Sequence, residues 1–242
     1  MFGLKTILFG GHPALHRQEI GGGWGGYTKS DMHGVAAGLV AGTWVATAIG
    51  WRPAEAIAKG DLVLTFDRGL RPVREVTRGR LWSSDDRCPR ILWPLRVPAG
   101  ALGNQQEMTV LPEQSVMLES DAADLLYGDP FTLVRAADLD GFRGIERVVP
   151  ETVALDVIQL HFDEDEIVFA NAGALVHCPS AQGLEIATLD GACKATGYEV
   201  LTCDEAALLL ECLRDEDAVA GDWTPANTPA SQVLPGYAAV FS

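Results

Sequence analysis

The fold is decided by residues 42–65, which read GTWVATAIGWRPAEAIAKGDLVLT. Thr43–Thr47 is rich in β-branched and aromatic side chains, which predicts a strand. Gly50 turns the chain, and Pro53–Gly60 has the proline start and the glycine end of a short helical turn. Leu62–Phe66 is again apolar and predicts a second strand. The stretch therefore predicts two strands joined through a glycine turn and one turn of helix.

The rest of the chain repeats this pattern of short strands separated by glycine and proline. Leu70–Trp82 contains Pro72 and predicts a long strand that is bent or lies at a sheet edge. Val157–Phe162 alternates between two faces, as a strand does. Thr202–Glu205 has the spacing of a capping box ahead of Ala206–Leu213, the clearest helix in the chain. Many short strands with one clear helix predict an all-β architecture.

Two short segments resemble each other. Pro53–Gly60 and Val134–Gly141 are both apolar turns that are closed by glycine and lead toward a predicted strand. The match indicates an internal duplication, although one weak match is equally consistent with coincidence.

Composition divides the chain into three parts. Residues 1–37 include the glycine-rich run at 21–26 and predict a flexible leader. Residues 38–180 hold the predicted strands and form the main domain. Residues 181–242 predict a C-terminal extension with one helix, at about 204–213, and a disordered tail, because the last residues are acidic and then rich in Pro, Thr, Ala and Gly.

The charge of the chain limits its partners. Its 242 residues carry 33 acidic and 18 basic side chains, a net charge of −15. A field of this sign repels nucleic acid and anionic lipid surfaces, so we expect no nucleic-acid partner. No apolar run approaches the ~20 residues of a membrane span. The patch Thr6–Phe9 is too short for a secretory signal, so we expect a cytoplasmic protein, while export without an N-terminal signal peptide stays open.

The five cysteines form no metal-binding motif. Zinc sites commonly use C-x-x-C pairs, and the sequence has none, so we expect free thiols and neither a metal nor another cofactor. A disulfide among the last four cysteines stays open if the protein is exported. The G-x-S-x-G, H-E-x-x-H and G-x-x-x-x-G-K-S/T motifs of common catalytic and phosphate-binding sites are also missing.

Four sequence blocks, in this order, resemble the bacterial Hint (hedgehog/intein) family. They are residues 42–65, Leu95–Gly103, Leu111–Leu118 and Leu160–Asn171, and the resemblance spans about Gly38 to Pro179. The first block is the most specific, since it combines Gly-Thr, the short turn and Gly-Asp-x-Val-x-Thr. The resemblance implies a β horseshoe with pseudo-twofold symmetry, to which the short C-terminal helix is added.

The resemblance also implies a chemistry that this chain lacks. Active members shift an acyl group from a peptide nitrogen to a Cys or Ser just before the Gly-Thr, and a Ser/Thr and a His in the third block polarise the bond and protonate the departing nitrogen. The matching positions are Gly38 for the nucleophile, Leu111 and Gln114 in the third block, and Asp165 for a further His in the last block. Thr43 is interpreted as structural. We therefore expect a degenerate member with a vestigial cleft.

Two functions stay open at this point. A degenerate Hint domain would bind or protect a peptide or a partner protein in the old cleft, without catalysis. The alternative is a self-processing or hydrolytic enzyme that uses unconventional residues, with Cys178 or His161 as candidates. We expect His161 to be a half-buried structural residue, and His177 cannot pair with the adjacent Cys178, because neighbouring strand residues point to opposite faces.

Two further expectations concern the arrangement of these residues. In the family the order of the blocks brings the nucleophile and the third-block His into one cleft, which predicts that Gly38 and Gln114 lie close together. The acidic run Asp163–Glu166 predicts a solvated hairpin tip. A calcium site is the alternative, but the run lacks the glycine-bearing spacing of an EF-hand loop.

Overall fold

Two antiparallel sheets make up most of the computed structural model, which describes residues 34–83, 87–150, 155–181 and 198–220. The strands are β1 (Leu39–Val40), β2 (Trp44–Thr47), β3 (Gly50–Pro53), β4 (Leu62–Thr65), β5 (Gly69–Pro72), β6 (Glu75–Arg80), β7 (Leu95–Val97), β8 (Met108–Val110), β9 (Ser115–Glu119), β10 (Phe131–Arg135), β11 (Glu146–Arg147), β12 (Asp156–His161), β13 (Glu166–Ala170) and β14 (Ala174–Cys178). The helices are α1 (Asp121–Tyr127) and α2 (Cys203–Ala220), and three 3-10 turns cover Ala54–Ala56, Arg90–Leu92 and Ala136–Leu139. The predicted all-β fold class is confirmed.

The chain passes between the two sheets at a bend that the sequence predicted. The six-stranded sheet has the order β11-β7-β8-β1-β12-β6, and the eight-stranded sheet has the order β10-β9-β14-β13-β2-β4-β5 with β3 paired to β2. The predicted long strand is two strands, β5 and β6, each at the edge of a different sheet. Pro72 ends β5, and a proline, which lacks an N–H to donate, is tolerated at a sheet edge.

The two segments that resemble each other occupy equivalent backbone positions. Each contains a 3-10 turn that directly follows a strand. The Ala54 N–H donates to the Thr43 carbonyl at 2.8 Å, and the Ala136 N–H donates to the Gln114 carbonyl at 2.9 Å. Thr43 and Gln114 each donate their own N–H to the residue three positions earlier, at 3.0 Å in both cases. This repeated backbone arrangement makes Thr43 and Gln114 equivalent positions of the two segments.

Both sheets contribute to one apolar core. Val45 and Val63 of the eight-stranded sheet and Leu95 and Ile158 of the six-stranded sheet are at most 1% exposed and belong to the same cluster. Burial of such side chains is the main stabilisation of the fold. Because β1 lies between β8 and β12, the residue before it, Gly38, is fixed against β12.

Helix α2 begins close to the predicted position. Glu205 Oε2 accepts hydrogen bonds from the Thr202 N–H at 2.8 Å and the Thr202 hydroxyl at 2.7 Å, as in a capping box. One face, Ala206, Leu209, Leu210 and Leu213, is buried in the core. Neither helix of the described residues combines the length and the apolar content that a membrane-spanning helix requires.

Helix α2 ends later than predicted, at Ala220 rather than near residue 213. The Arg143 guanidinium donates to both carboxylate oxygens of Asp217, at 2.6 and 2.8 Å. This contact ties the last turns of α2 to the domain, which explains why the acidic stretch that the sequence assigned to the tail is helical. The rest of the predicted tail, residues 221–242, lies outside the described residues.

Candidate functional site

Gly38 and Gln114 are in direct contact and line one small cavity. The Gly38 N–H donates to Gln114 Oε1 at 2.8 Å, so the prediction that the two lie close together is confirmed. The cavity measures about 110 Å³ and is also lined by Ser115, His177 and Cys178. It is smaller than the ~150 Å³ cavities that hold a benzene molecule, so it has room for one small group.

The residues just before Gly38 pass through this site. Of the predicted leader, residues 1–33 lie outside the described residues, while 34–37 are described. We call residues 34–38 the leading segment. The Val35 N–H donates to the Arg80 carbonyl at 3.1 Å, and the Ala36 carbonyl accepts from the Glu113 N–H at 3.0 Å. The leading segment is therefore held on one side by β6 and on the other by the turn before β9.

The peptide bond between Ala37 and Gly38 is held at both of its polar atoms. The Ala37 carbonyl accepts from Gln159 Nε2 at 3.0 Å, and the Gly38 N–H donates to Gln114 Oε1. The Gln114 Nε2 group donates to the carbonyls of Ser115 at 2.9 Å and His177 at 2.7 Å, which fixes the orientation of its amide. Two glutamine amides thus hold the two polar atoms of this peptide bond, and a glutamine can donate a hydrogen bond but cannot transfer a proton near pH 7.

A hydrogen-bond chain fixes the orientation of Gln159. Thr77 Oγ1 lies 3.0 Å from Gln159 Oε1 and 3.0 Å from His161 Nε2. The single hydroxyl proton is donated to Gln159 Oε1, so His161 Nε2 is the donor to Thr77. His161 is 1% exposed, and burial lowers its pKa, although the charge of Glu75 and the Pro179 carbonyl act in the opposite direction. The ring is therefore neutral in the folded protein near pH 7.

Gly38 has a conformation and a packing that suit glycine alone. Its φ is +130°, in a region that residues with a Cβ rarely adopt. A Cβ at this position would lie 2.7 Å from Val157 Cγ1 and 2.9 Å from Gln159 Cγ. A nucleophilic side chain at position 38 therefore has neither a favourable backbone nor space.

Leu111 and Thr43 do not line the cavity. Leu111 is fully buried in a small cluster with Val40, Leu81 and Val157, against which Val35 packs. Leu111 therefore contributes to an apolar contact with the leading segment. Thr43 is buried, and its backbone closes a turn, in agreement with a structural role.

Asp165 acts on His177 and on the backbone after β14. Its Oδ2 lies 3.2 Å from His177 Nε2, and its Oδ1 accepts from the Ser180 N–H at 2.7 Å. His177 lies on β14, and its backbone carbonyl accepts a hydrogen bond from Gln114. Asp165 is thus connected through β14 to Gln114 without itself lining the cavity, and it holds the end of this strand.

The acidic run at Asp163–Glu166 is only half exposed, so the prediction of a solvated hairpin tip is wrong for its second half. Asp163 pairs with Arg74 at 2.6 Å, and this hydrogen bond lowers the pKa of the Asp163 carboxyl. Asp165 and Glu166 are 6% and 1% exposed. Asp165 is covered where it contacts His177 and the Ser180 N–H, and Glu166 is covered at the start of β13 beside Arg68 and Arg71, which the charge pattern alone did not indicate.

The two candidate residues of the enzyme alternative are buried. Cys178 belongs to the core and is 3% exposed, and burial, assisted by the charges of Asp165 and Glu166, raises the pKa of its thiol to about 12. A thiol with this pKa is not ionised near pH 7 and is a poor nucleophile. His161 is more deeply buried than predicted, and it contacts the hydroxyl of Thr77.

Sequence reasoning missed Gln159, Thr77 and the leading segment. Gln159 and Thr77 face each other across the pairing of β6 with β12, where Thr77 is directly opposite Gln159. A polar residue on an alternating strand is usually predicted to face solvent. One feature of the sequence indicated otherwise: both faces of this strand carry large side chains. The small residues of the leading segment have no periodicity that predicts a bound conformation.

The sequence matches a family model. The model of the Hint domain matches residues 37–176, which is more than half of the chain. The chain belongs to the Hint domain family. No curated protein matches it.

Solved structures of inteins are similar to this chain. The bacterial intein-like domain from Clostridium thermocellum is 16% identical, covers 59% of this chain and 99% of its own length, and has a TM-score of 0.42. The gp41-1 intein is 14% identical, covers 57% of this chain and 98% of its own length, and has a TM-score of 0.35.

Proposed function

We propose that this protein is a Hint domain that does not cleave itself and that instead binds its own leading segment as a non-catalytic module. The observation that carries the proposal is the double hold on the Ala37–Gly38 peptide bond by Gln159 and Gln114. This bond lies where the family resemblance puts the scissile bond, and the residue after it is a glycine.

The missing nucleophile supports the absence of cleavage. In an acyl shift the side chain of residue 38 attacks the carbonyl of residue 37, the bond from that carbonyl to nitrogen breaks, and the nitrogen takes a proton. Gly38 offers no attacking atom, and Gln114 offers no transferable proton near pH 7. Loss of the attacking group alone is enough to stop the reaction, because the groups of a catalytic set act together.

The hydrogen bonds of the leading segment support the binding role. Val35, Ala36, Ala37 and Gly38 each make a hydrogen bond to the domain. Each such bond contributes on the order of 1 kcal/mol when water competes for the same groups. A separate peptide or partner protein would reach the cleft only by replacing this segment, so we propose that any such partner competes with it.

The burial of Cys178 and His161 argues against the alternative of a hydrolytic enzyme. Both side chains are at most 3% exposed. The raised pKa of Cys178 keeps the sulfur protonated, and His161 Nε2 is already engaged by Thr77. Cys178 lines the cavity, but its thiol stays protonated near pH 7, and His161 does not line the cavity.

The experiment is intact-mass spectrometry of the purified full chain during days of incubation with dithiothreitol or hydroxylamine. We expect one species of the full encoded mass, because these reagents trap esters and thioesters and none forms here. A fragment that begins at Gly38 would overturn the proposal. Thr43→Ala is the matched control: a fragment that disappears in this variant would make Thr43 an unconventional nucleophile.

A further inference from the structure

The leading segment lies in a site whose shape differs from one residue to the next. At Gly34 a Cβ would lie 2.0 Å from the Leu81 carbonyl oxygen and 3.2 Å from the Trp82 ring. The Leu81 carbonyl oxygen belongs to the backbone of the domain, so it cannot move aside as the end of a flexible side chain could. This position therefore accepts glycine and excludes every residue with a Cβ.

At Val35 the site provides an apolar notch. Val35 packs against the cluster of Val40, Leu81, Leu111 and Val157. The floor of the notch is Gly79 on β6, where a Cβ would lie 2.5 Å from Val35 Cγ2. The φ of Gly79 is not in the left-handed region, so its backbone conformation does not require glycine. The lack of a Cβ instead makes room for the side chain of Val35. A stiff, β-branched side chain fills such a notch at little cost in rotamer entropy.

At Ala36 and Ala37 the domain contacts the backbone. The Ala36 carbonyl is held by the Glu113 N–H, and the Ala37 carbonyl is held by Gln159. Backbone hydrogen bonds of this kind do not distinguish one side chain from another. Ala37 also lines the cavity of about 110 Å³, which leaves space beside it.

At Gly38 the site is again closed to side chains, by the contacts with Val157 and Gln159 described above and by the positive φ. We infer that this cleft is selective for a peptide of the sequence Gly-Val-x-x-Gly in the conformation of the leading segment, recognised by glycine-only positions at its two ends and by a notch for a β-branched side chain at the second residue. The inference rests on the proposed binding of the leading segment. It specifies the chemistry that a competing peptide needs.

The experiment measures amide hydrogen exchange of Val35 and Gly38 in the full chain by NMR. Both amides donate to the domain, so their protection reports whether the segment is bound. Gly79→Ala is expected to speed exchange at both amides about tenfold or more, the effect typical of overpacking by one methyl group. In the presence of Val35→Ala the same Gly79→Ala change is expected to alter exchange less than about twofold, because the two sites then no longer collide.

Arg78→Ala is the matched control. It alters the other neighbour of Gly79 on β6, whose guanidinium donates to the carbonyls of Glu55 and Ile57, and it adds no atom to the notch, so exchange at Val35 and Gly38 should stay within about twofold of the parent chain. Equal effects of Gly79→Ala with and without Val35 would overturn the inference. If Gly79→Ala does not fold, Val35→Leu replaces it, and it must speed exchange more than Val35→Ala does.

The outcomes separate this inference from the proposed function. Unprotected Val35 and Gly38 amides in the parent chain, or cleavage before Gly38, would refute the binding of the leading segment. Protected amides in an intact chain, without coupling between positions 35 and 79, would refute the selectivity alone.

Discussion

Replacing Gly38 by alanine tests whether the cleft has been rebuilt around a glycine. The substitution adds one Cβ, which meets Val157 Cγ1 at 2.7 Å, Gln159 Cγ at 2.9 Å and the Ile158 carbonyl oxygen at 3.0 Å. Overpacking of this kind costs about 1–3 kcal/mol. The backbone at φ +130° adds about 1–3 kcal/mol for a residue with a Cβ. We expect Gly38→Ala to lower the free energy of unfolding by about 2–6 kcal/mol.

Gly50→Ala separates the two contributions. Gly50 has φ +104°, and a Cβ there would meet nothing within 4 Å. Its substitution should therefore cost only the backbone part, about 1–3 kcal/mol. The difference between the two variants in the free energy of unfolding measures how tightly β12 closes on position 38.

The assay is equilibrium unfolding in urea, monitored by circular dichroism, of the parent chain, Gly38→Ala and Gly50→Ala. The free energy of unfolding must fall with urea at the same slope in all three proteins, so that their midpoints can be compared. A Gly38→Ala variant that is no less stable than Gly50→Ala would refute the reasoning. It would mean that β12 moves aside, and that a cysteine could be accommodated at position 38.

Two further predictions concern buried titratable groups. The Cys178 thiol should react with iodoacetamide at pH 8 far more slowly than the exposed Cys203 thiol in the folded protein, since burial raises the Cys178 pKa to about 12; peptide mass mapping measures both, and equal rates would contradict it. For His161 the folded pKa is below the unfolded value of 6.5, so the unfolded chain binds the proton more readily as the pH falls. The free energy of unfolding should therefore decrease as pH falls through about 6.5 and level off once the folded ring is protonated. His161→Gln should reduce this dependence between pH 7.5 and 5.5 in urea titrations, and an unchanged slope would contradict the assignment.

The local elements could be predicted because their signals lie within a few residues. The β-branched run at 43–47, the proline in the strand that bends at Pro72 and the capping box at Thr202 each depend on neighbours in sequence. The sequence also predicts that no nucleophile stands before the Gly-Thr, since no cysteine precedes Cys88 and the family resemblance assigns that position to Gly38.

The end of α2 and the burial of the acidic run could not be predicted in this way. Arg143 and Asp217 are 74 residues apart, and nothing local to the acidic stretch indicates that an arginine will meet it. Charged residues such as Asp165 and Glu166 are usually predicted to be exposed, and only their tertiary contacts show that they are buried: Asp165 with His177 and Ser180, and Glu166 with Arg68 and Arg71.

What the sequence by itself determined is the all-β class and many of the local strands and turns, and it predicts which residues stand at the positions that the family resemblance assigns to catalysis. What only the tertiary structure decided is what those residues now do. The Gly38–Gln114 contact joins residues 76 positions apart, and the Ala37–Gln159 contact joins residues 122 positions apart. Such contacts depend on the register of β1 and β6 against β12, and a shift of one residue would turn Gln159 to the opposite face. The physical reason is that periodicity and turn chemistry act over a few residues, whereas a binding cleft is made by side chains that only the paired sheets bring together.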